Sequence, residues 1–148
     1  MSEPQEIVPI GKNELVGMVA HLFAEGYRLV QIGCSTLENG YELNYSFDKG
    51  YRFKNLRISV APGEDVPSIS AVYTNAFLYE NEIHDLFGCS INDIAIDYHG
   101  TLYRTSIKTP FSVEHVNLPD PPKPKTAAPP PPKDKAKPQE EIPVERKE

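Results

Sequence analysis

Four side chains able to move protons or ligate a metal fall close together at Glu80, Glu82, His84 and Asp85. They lie in the run Tyr79-Glu80-Asn81-Glu82-Ile83-His84-Asp85-Leu86-Phe87-Gly88. Tyr79, Ile83, Leu86 and Phe87 recur at i, i+4, i+7 and i+8, which predicts an amphipathic helix over 76–87. Thr74 or Asn75 can cap its start, and Gly88 can end it. Glu80, Asn81, His84 and Asp85 crowd the other side, with Glu82 at its edge. Glu80 and His84 are i, i+4 and close enough to pair. Such spacing suits two metal ligands on one face, but a convincing third ligand is missing. Three readings therefore compete: a solvated acidic face, a metal site, and a docking face. Asp85 adds a constraint, because a carboxylate near a helix C-terminus opposes the dipole at a cost of up to about 1 kcal/mol. An Arg or backbone N–H groups on a partner would offset that cost.

No other catalytic frame accompanies these residues. The chain has no P-loop, dinucleotide fingerprint or nucleophile elbow. Asp85-Leu86-Phe87-Gly88 has the letters of a kinase metal motif without a glycine-rich nucleotide loop or catalytic loop. His21, His99 and His115 are scattered. Cys34 and Cys89 form neither a disulfide framework nor the four-ligand set of an iron–sulfur cluster. Both read as small, partly buried apolar side chains.

The elements that must position the 79–88 run are legible on either side. Leu15, Met18, Val19, Leu22 and Phe23 predict a helix over 12–25, closed by Gly26. Residues 28–34 read as a strand with Val30, Ile32 and Cys34 on one face. Asn39-Gly40 marks a hairpin. Tyr41, Leu43, Tyr45 and Phe47 then alternate with Glu42, Asn44, Ser46 and Asp48, as in a half-buried strand. A second turn at Asp48-Lys49-Gly50 leads to a partner strand over 51–60. A phase shift between Phe53 and Leu56 predicts a bulge near Lys54-Asn55. Residues 68–73 read as a further strand and 101–108 as a short one; residues 1–8 read as a loose end or edge strand. The fold class is α+β: a mainly antiparallel sheet of about four strands with two helices on one face.

Ten of the 15 prolines lie at or beyond Pro119. The division predicted is a domain over 1–118 and a disordered Pro/Lys/Glu-rich tail over 119–148. The first part carries 8 Lys+Arg against 15 Asp+Glu, within a whole-chain net charge of −6. That balance disfavours nucleic acid, whose phosphates need cationic neutralisation. No signal peptide and no apolar run of membrane-spanning length is visible, so a soluble, cytoplasmic protein without direct membrane insertion is expected.

The 79–88 run resembles the signature of the 30-kDa subunit family of respiratory complex I (NADH:quinone oxidoreductase). Small counterparts serve in membrane-bound, energy-converting nickel–iron hydrogenases. The family pattern is aromatic-Glu-Arg-Glu-apolar-Tyr-Asp-Leu/Met-Phe-Gly. The chain matches at Tyr79, Glu80, Glu82, Ile83, Asp85, Leu86, Phe87 and Gly88, and departs at Asn81 (usually Arg) and His84 (usually Tyr). The family's downstream segment, rich in Gly, His, Pro and Arg, is echoed only weakly by Asp97-Tyr98-His99-Gly100 and Tyr103-Arg104. That weakness and the short chain favour the hydrogenase branch.

The resemblance implies a non-catalytic, cofactor-free subunit of an oxidoreductase complex, docked through residues 79–88 on the catalytic large subunit. The nickel–iron centre and the iron–sulfur clusters would belong to the large subunit and the iron–sulfur small subunit. Antiporter-like membrane subunits would be indirect partners, placing the chain at the inner face of the cell membrane. The complex would link ferredoxin and proton reduction to ion translocation. The alternative within the superfamily is the 30-kDa subunit of a complex I-like, quinone- or phenazine-linked dehydrogenase. Alternatives of another class are a small stand-alone metal-dependent enzyme and an adaptor acting through its proline-rich segment.

Overall fold

The computed structural model describes residues 5–116. The chain runs β1 (Gln5–Pro9), a 3-10 turn (Lys12–Glu14), α1 (Leu15–Ala24), β2 (Arg28–Leu37), β3 (Gly40–Lys49) and β4 (Arg52–Val60). It continues through β5 (Asp65–Pro67), α2 (Ala76–Phe87), β6 (Ser90–Asn92) and a single turn of helix, α3 (Val113–Val116). The α+β class is as the sequence predicts. The proposed tail boundary at 119 lies outside the described residues. No helix among the described residues is long and apolar enough to cross a membrane.

The main sheet has the order β1-β4-β3-β2. Its three long strands pair antiparallel, and β1 adds in parallel along β4. A parallel partner needs a crossover, which begins with α1 between β1 and β2. The strict alternation of β3 puts Tyr41, Leu43, Tyr45 and Phe47 on the core face. Leu56, Ile58 and Val60 lie directly opposite them on β4. Leu15, Val19 and Leu22 of α1 and Ala76 and Ile83 of α2 cover the same face. On the other face the polar members bond to each other. Ser46 donates to Asn55 Oδ1 at 2.6 Å, and Arg57 donates to Asn44 Oδ1 at 2.8 Å.

The α1 helix ends as Gly26 suggests. The Gly26 N–H reaches Phe23 O and the Tyr27 N–H reaches Leu22 O, the paired bonds of a Schellman stop. The bulge, however, is not at Lys54-Asn55. Pairing of β4 with β3 is continuous, and Phe53 simply shares the open face with Asn55 and Arg57. The irregularity lies across the sheet in β2, where the register skips Val30. The strand therefore buries Leu29 and Ile32 rather than keeping Val30, Ile32 and Cys34 in one phase. A skipped residue leaves its carbonyl without a ladder partner. The Tyr79 hydroxyl, from α2, donates to Val30 O at 3.1 Å.

Two further expectations give way. Residues 68–73 are not a strand but a turn: Val72 and Tyr73 N–H both reach Ile69 O, and the strand lies just before, at β5. Residues 101–108 form no strand. The small second sheet pairs β5 with β6 in parallel, so α2 is the crossover helix of a miniature β–α–β unit.

Tyr hydroxyls serve as donors to carbonyls outside the ladders. Tyr41 donates to Phe87 O at 2.8 Å and Tyr73 to Tyr27 O at 2.6 Å. Tyr45 is the exception: it is fully buried, and its hydroxyl is the one buried side-chain polar atom among the described residues without a hydrogen-bond partner. Burial, then the Glu80 charge, hold its pKa well above the ordinary value. An unpaired hydroxyl keeps its desolvation cost without return. Tyr45→Phe is therefore expected to leave stability unchanged or raise it by about 1 kcal/mol, whereas Tyr79→Phe, which strips a bond from the bulge, lowers it by about 1 kcal/mol. Urea unfolding of the two variants measures both; a Tyr45→Phe loss equal to that of Tyr79→Phe would show that Tyr45 is paired.

Candidate functional site

The α2 helix keeps the length expected, but its polar side does not face water. Glu80 and Asn81 are fully buried and Asp85 nearly so. The reason is in the neighbouring chain. Residues 68–70 pass along one flank of the helix and residues 95–103 along the other, and both present backbone groups with no ladder to join.

Glu80 serves the first segment. Its Oε1 accepts the Ile69 N–H at 2.8 Å and its Oε2 accepts the Ser68 hydroxyl at 2.6 Å. The Ser68 oxygen accepts in turn from the Ser70 N–H at 3.0 Å and lies 2.6 Å from the Ser70 hydroxyl. Ser68 has one proton, already committed to the carboxylate, so Ser70 donates to Ser68. That leaves the Ser70 oxygen to accept the Ala95 N–H at 2.8 Å. One carboxylate thus orders a chain of bonds reaching from the pre-helix turn to the segment beyond β6.

Asn81 and Asp85 serve the second segment. Asn81 Nδ2 donates to Phe77 O at 2.7 Å and to Ile96 O at 2.8 Å, while its Oδ1 accepts the Tyr98 N–H at 2.9 Å. Asp85 Oδ2 accepts the Tyr103 N–H at 2.9 Å, and Oδ1 lies 3.2 Å from His84 Nδ1. The compensation that Asp85 requires therefore comes from its own chain's loop, not from a partner's group. His84 pairs with Asp85 rather than with Glu80, whose oxygens are taken. Its ring is half exposed, and Glu82 is partly exposed beside it.

The apolar members behave as the stripe predicts. Ile83 is buried, Tyr79 and Phe87 pack against the core, and Leu86 is partly covered. Phe87 meets Tyr41 edge-on at 6.4 Å and Phe111 at 5.5 Å. Gly88 takes φ 74°, and its N–H returns to His84 O. A side chain there would stand 3.1 Å from Thr109 Cγ2, so both the turn and the close approach of the following loop call for glycine. The carbonyl of Leu86 accepts the Phe111 N–H at 2.8 Å. At the other end neither Thr74 nor Asn75 caps by side chain. Asn75 is itself helical, and the Ala76 and Phe77 N–H groups reach back to Tyr73 and Thr74 carbonyls.

The metal reading finds no geometry. Among the described residues no three of His, Cys, Asp and Glu converge to hold an ion. Burial pushes the Cys34 thiol up to about 12 and Cys89 up to about 11, which keeps both protonated and poorly suited to ligation or nucleophilic attack.

Residues 8–112 match the model of the family described as respiratory-chain NADH dehydrogenase, 30 Kd subunit. The chain belongs to that family. The matched span takes in the core sheet, the α2 clamp and the loop it holds. Comparison with individual curated proteins gives no match. Among solved structures, a chain of the archaeal membrane-bound sulfane sulfur reductase, a respiratory membrane complex, superposes with a TM-score of 0.65. It is 14% identical, with 76% of this chain and 72% of that chain covered, so the two share the fold. In this member of the 30 Kd family, the motif residues Glu80 and Asp85 hold backbone.

The residues that sequence reasoning missed are the clamp's partners, chiefly Ser68, Ser70 and the amides of Ile69, Tyr98 and Tyr103. A Ser-x-Ser pair ahead of an acidic helix is the one visible signal; the amides have none.

The clamp has consequences for stability. Burial raises the Glu80 pKa, with the Ser68 and Ile69 bonds opposing it. A carboxyl with a raised folded pKa binds its proton more tightly in the native state. Stability should therefore fall as pH rises from the ordinary carboxylate value through the folded one, then level off. Glu80→Gln, which can still accept from Ile69, should flatten that fall; a slope unchanged in pH-dependent melts would assign it to another group. Asn81→Leu should cost about 2–4 kcal/mol by orphaning the Ile96 carbonyl and the Tyr98 N–H. It should also speed amide exchange at Tyr98 relative to β3; protection equal to wild type would mean the loop holds itself.

Proposed function

We propose that this chain is a non-catalytic, cofactor-free subunit of a membrane-bound, energy-converting nickel–iron hydrogenase, docked on the catalytic large subunit. The observation that carries the docking role is the clamp. Buried Glu80, Asn81 and Asp85 spend their bonding capacity on the chain's own backbone, leaving no convergent metal-binding set among the described residues while fixing an exposed surface. Family membership supports a place in a multisubunit respiratory oxidoreductase.

The weak family signal over Asp97-Tyr98-His99-Gly100 and Tyr103-Arg104 supports the hydrogenase branch. In that reading the nickel–iron centre and the iron–sulfur clusters reside in the large and small hydrogenase subunits. Antiporter-like subunits anchor the assembly, and this chain meets the membrane only through its partners, on the cytoplasmic side. A second reading, the 30-kDa subunit of a quinone- or phenazine-linked dehydrogenase, draws on the family description itself.

Affinity purification of the tagged full chain from gently solubilised native membranes, with mass spectrometry and metal analysis, separates these. A nickel-containing large subunit is the expected companion. A nickel-free large subunit would move the chain to the dehydrogenase reading, and recovery of the chain alone would overturn both.

A further inference from the structure

Residues 93–112 cross the surface without helix or strand, an unusual length for a loop in a compact domain. Such a loop is ordinarily loose, yet this one is tied to the domain over residues 95–103 and again at 109–111, bracketing the short stretch 104–108. Ala95 N–H bonds to Ser70, Ile96 O and Tyr98 N–H to Asn81, Tyr103 N–H to Asp85, and Phe111 N–H to Leu86 O. From Asn81 onward the ties follow α2 to its last turn. The result is an irregular backbone held to a helix, with large side chains left exposed.

Those side chains are apolar. Ile96, Tyr98, Tyr103, Ile107 and Phe111 are 39–51% exposed. Isolated exposed apolar residues need no explanation, but five on one pinned loop do. The loop's charge is as distinctive. From Ile96 to Phe111 it holds Arg104 and Lys108 against one acidic residue, Asp97, which lies 3.4 Å from His99, in a domain where acids outnumber bases by 15 to 8. Both cations are exposed, and neither joins an ion pair among the described residues. Aromatic side chains with Arg are the composition of interface hot spots.

We propose that residues 96–111 are a preformed docking epitope for a protein surface with an apolar centre and an acidic rim. This rests on the subunit reading above and adds the chemistry of the partner. The centre receives Tyr103 and Ile107; the rim pairs with Arg104 and Lys108. Preformation matters because the ordering cost of the loop falls on folding rather than on association. An anionic lipid surface fits the loop less well than a protein does. It is an extended negative plane facing an acidic domain, whereas a protein rim needs to be negative only within a Debye length of two cations.

The test places a photo-crosslinking amino acid at position 103, and separately at 107, in the full chain expressed in its native cell. Crosslinked peptides are identified after membrane solubilisation, and recovery of partners is compared between wild type and the R104E/K108E double variant. The expected result is a crosslink to an apolar segment flanked by Asp and Glu in a co-purifying subunit. Charge reversal should cut recovery by about tenfold or more, with the melting temperature unchanged because both side chains are exposed. Crosslinks to lipid, to a second copy or to residues 117–148 of the same chain would overturn the epitope, as would undiminished recovery of the double variant. Wild-type chain recovered with partners but crosslinked elsewhere defeats the epitope alone; wild-type chain recovered with none defeats the subunit reading as well.

Discussion

A helix with its polar side buried must supply every hydrogen bond that water would have made. In α2 that requirement falls on Glu80, Asn81 and Asp85, and meeting it decides the course of the chain on both sides of the helix. The turn at 68–70 lies where it does because Glu80 accepts from it. The loop from Ala95 to Tyr103 lies where it does because Ser70, Asn81 and Asp85 accept its amides. The β5–β6 pair draws the two segments together at their roots. Nothing in this arrangement can be removed singly, since each side chain lost leaves backbone groups that no ladder can take up.

The same economy ties the clamp to the main sheet. The Val30 bulge changes the phase of β2, which lets Leu29 and Ile32 both reach the core, and it releases one carbonyl. Tyr79 bonds that carbonyl from the first turn of α2, and Tyr41 bonds Phe87 O at the last. Two tyrosines, one on the helix and one on the sheet, therefore fix both ends of α2 against β2 and β3. The orientation of the helix, and so of the loop along its outer flank, follows from two hydroxyl groups and the apolar stripe between them.

Periodicity carries most of the architecture. The strict alternation in β3, the helical spacing in α1 and α2 and the two glycine stops each reflect one local rule, and each is visible in the residues themselves. Contacts between distant segments lie outside its reach. Phe53 and Leu56 differ in phase, which in sequence points to a bulge in β4, yet Phe53 faces the open side of an unbroken strand. Residues 68–73 read as a strand in sequence, but Ser68 and Ile69 bond to Glu80 and the segment turns at Ile69 O. The polar side of α2 reads as a face for water or a partner because a carboxylate shows its charge in sequence and not its bonding partner. Eleven residues separate Glu80 from Ile69, and 18 separate Asp85 from Tyr103; backbone amides leave no mark in a sequence at any distance.

The departure at Asn81 takes on a different meaning in this setting. The clamp needs, at that one position, a donor for the Ile96 carbonyl and an acceptor for the Tyr98 N–H; the second amide proton goes to Phe77 O, which the helix already serves. An amide offers both kinds of group on a short stem; a guanidinium offers donors only. An arginine at this position would leave the Tyr98 amide unserved and would need more room than a fully closed site gives. The loop path from Ile96 to Tyr98 is therefore bound to asparagine. The path of that stretch is thus set by a side chain on α2 that is itself fully buried.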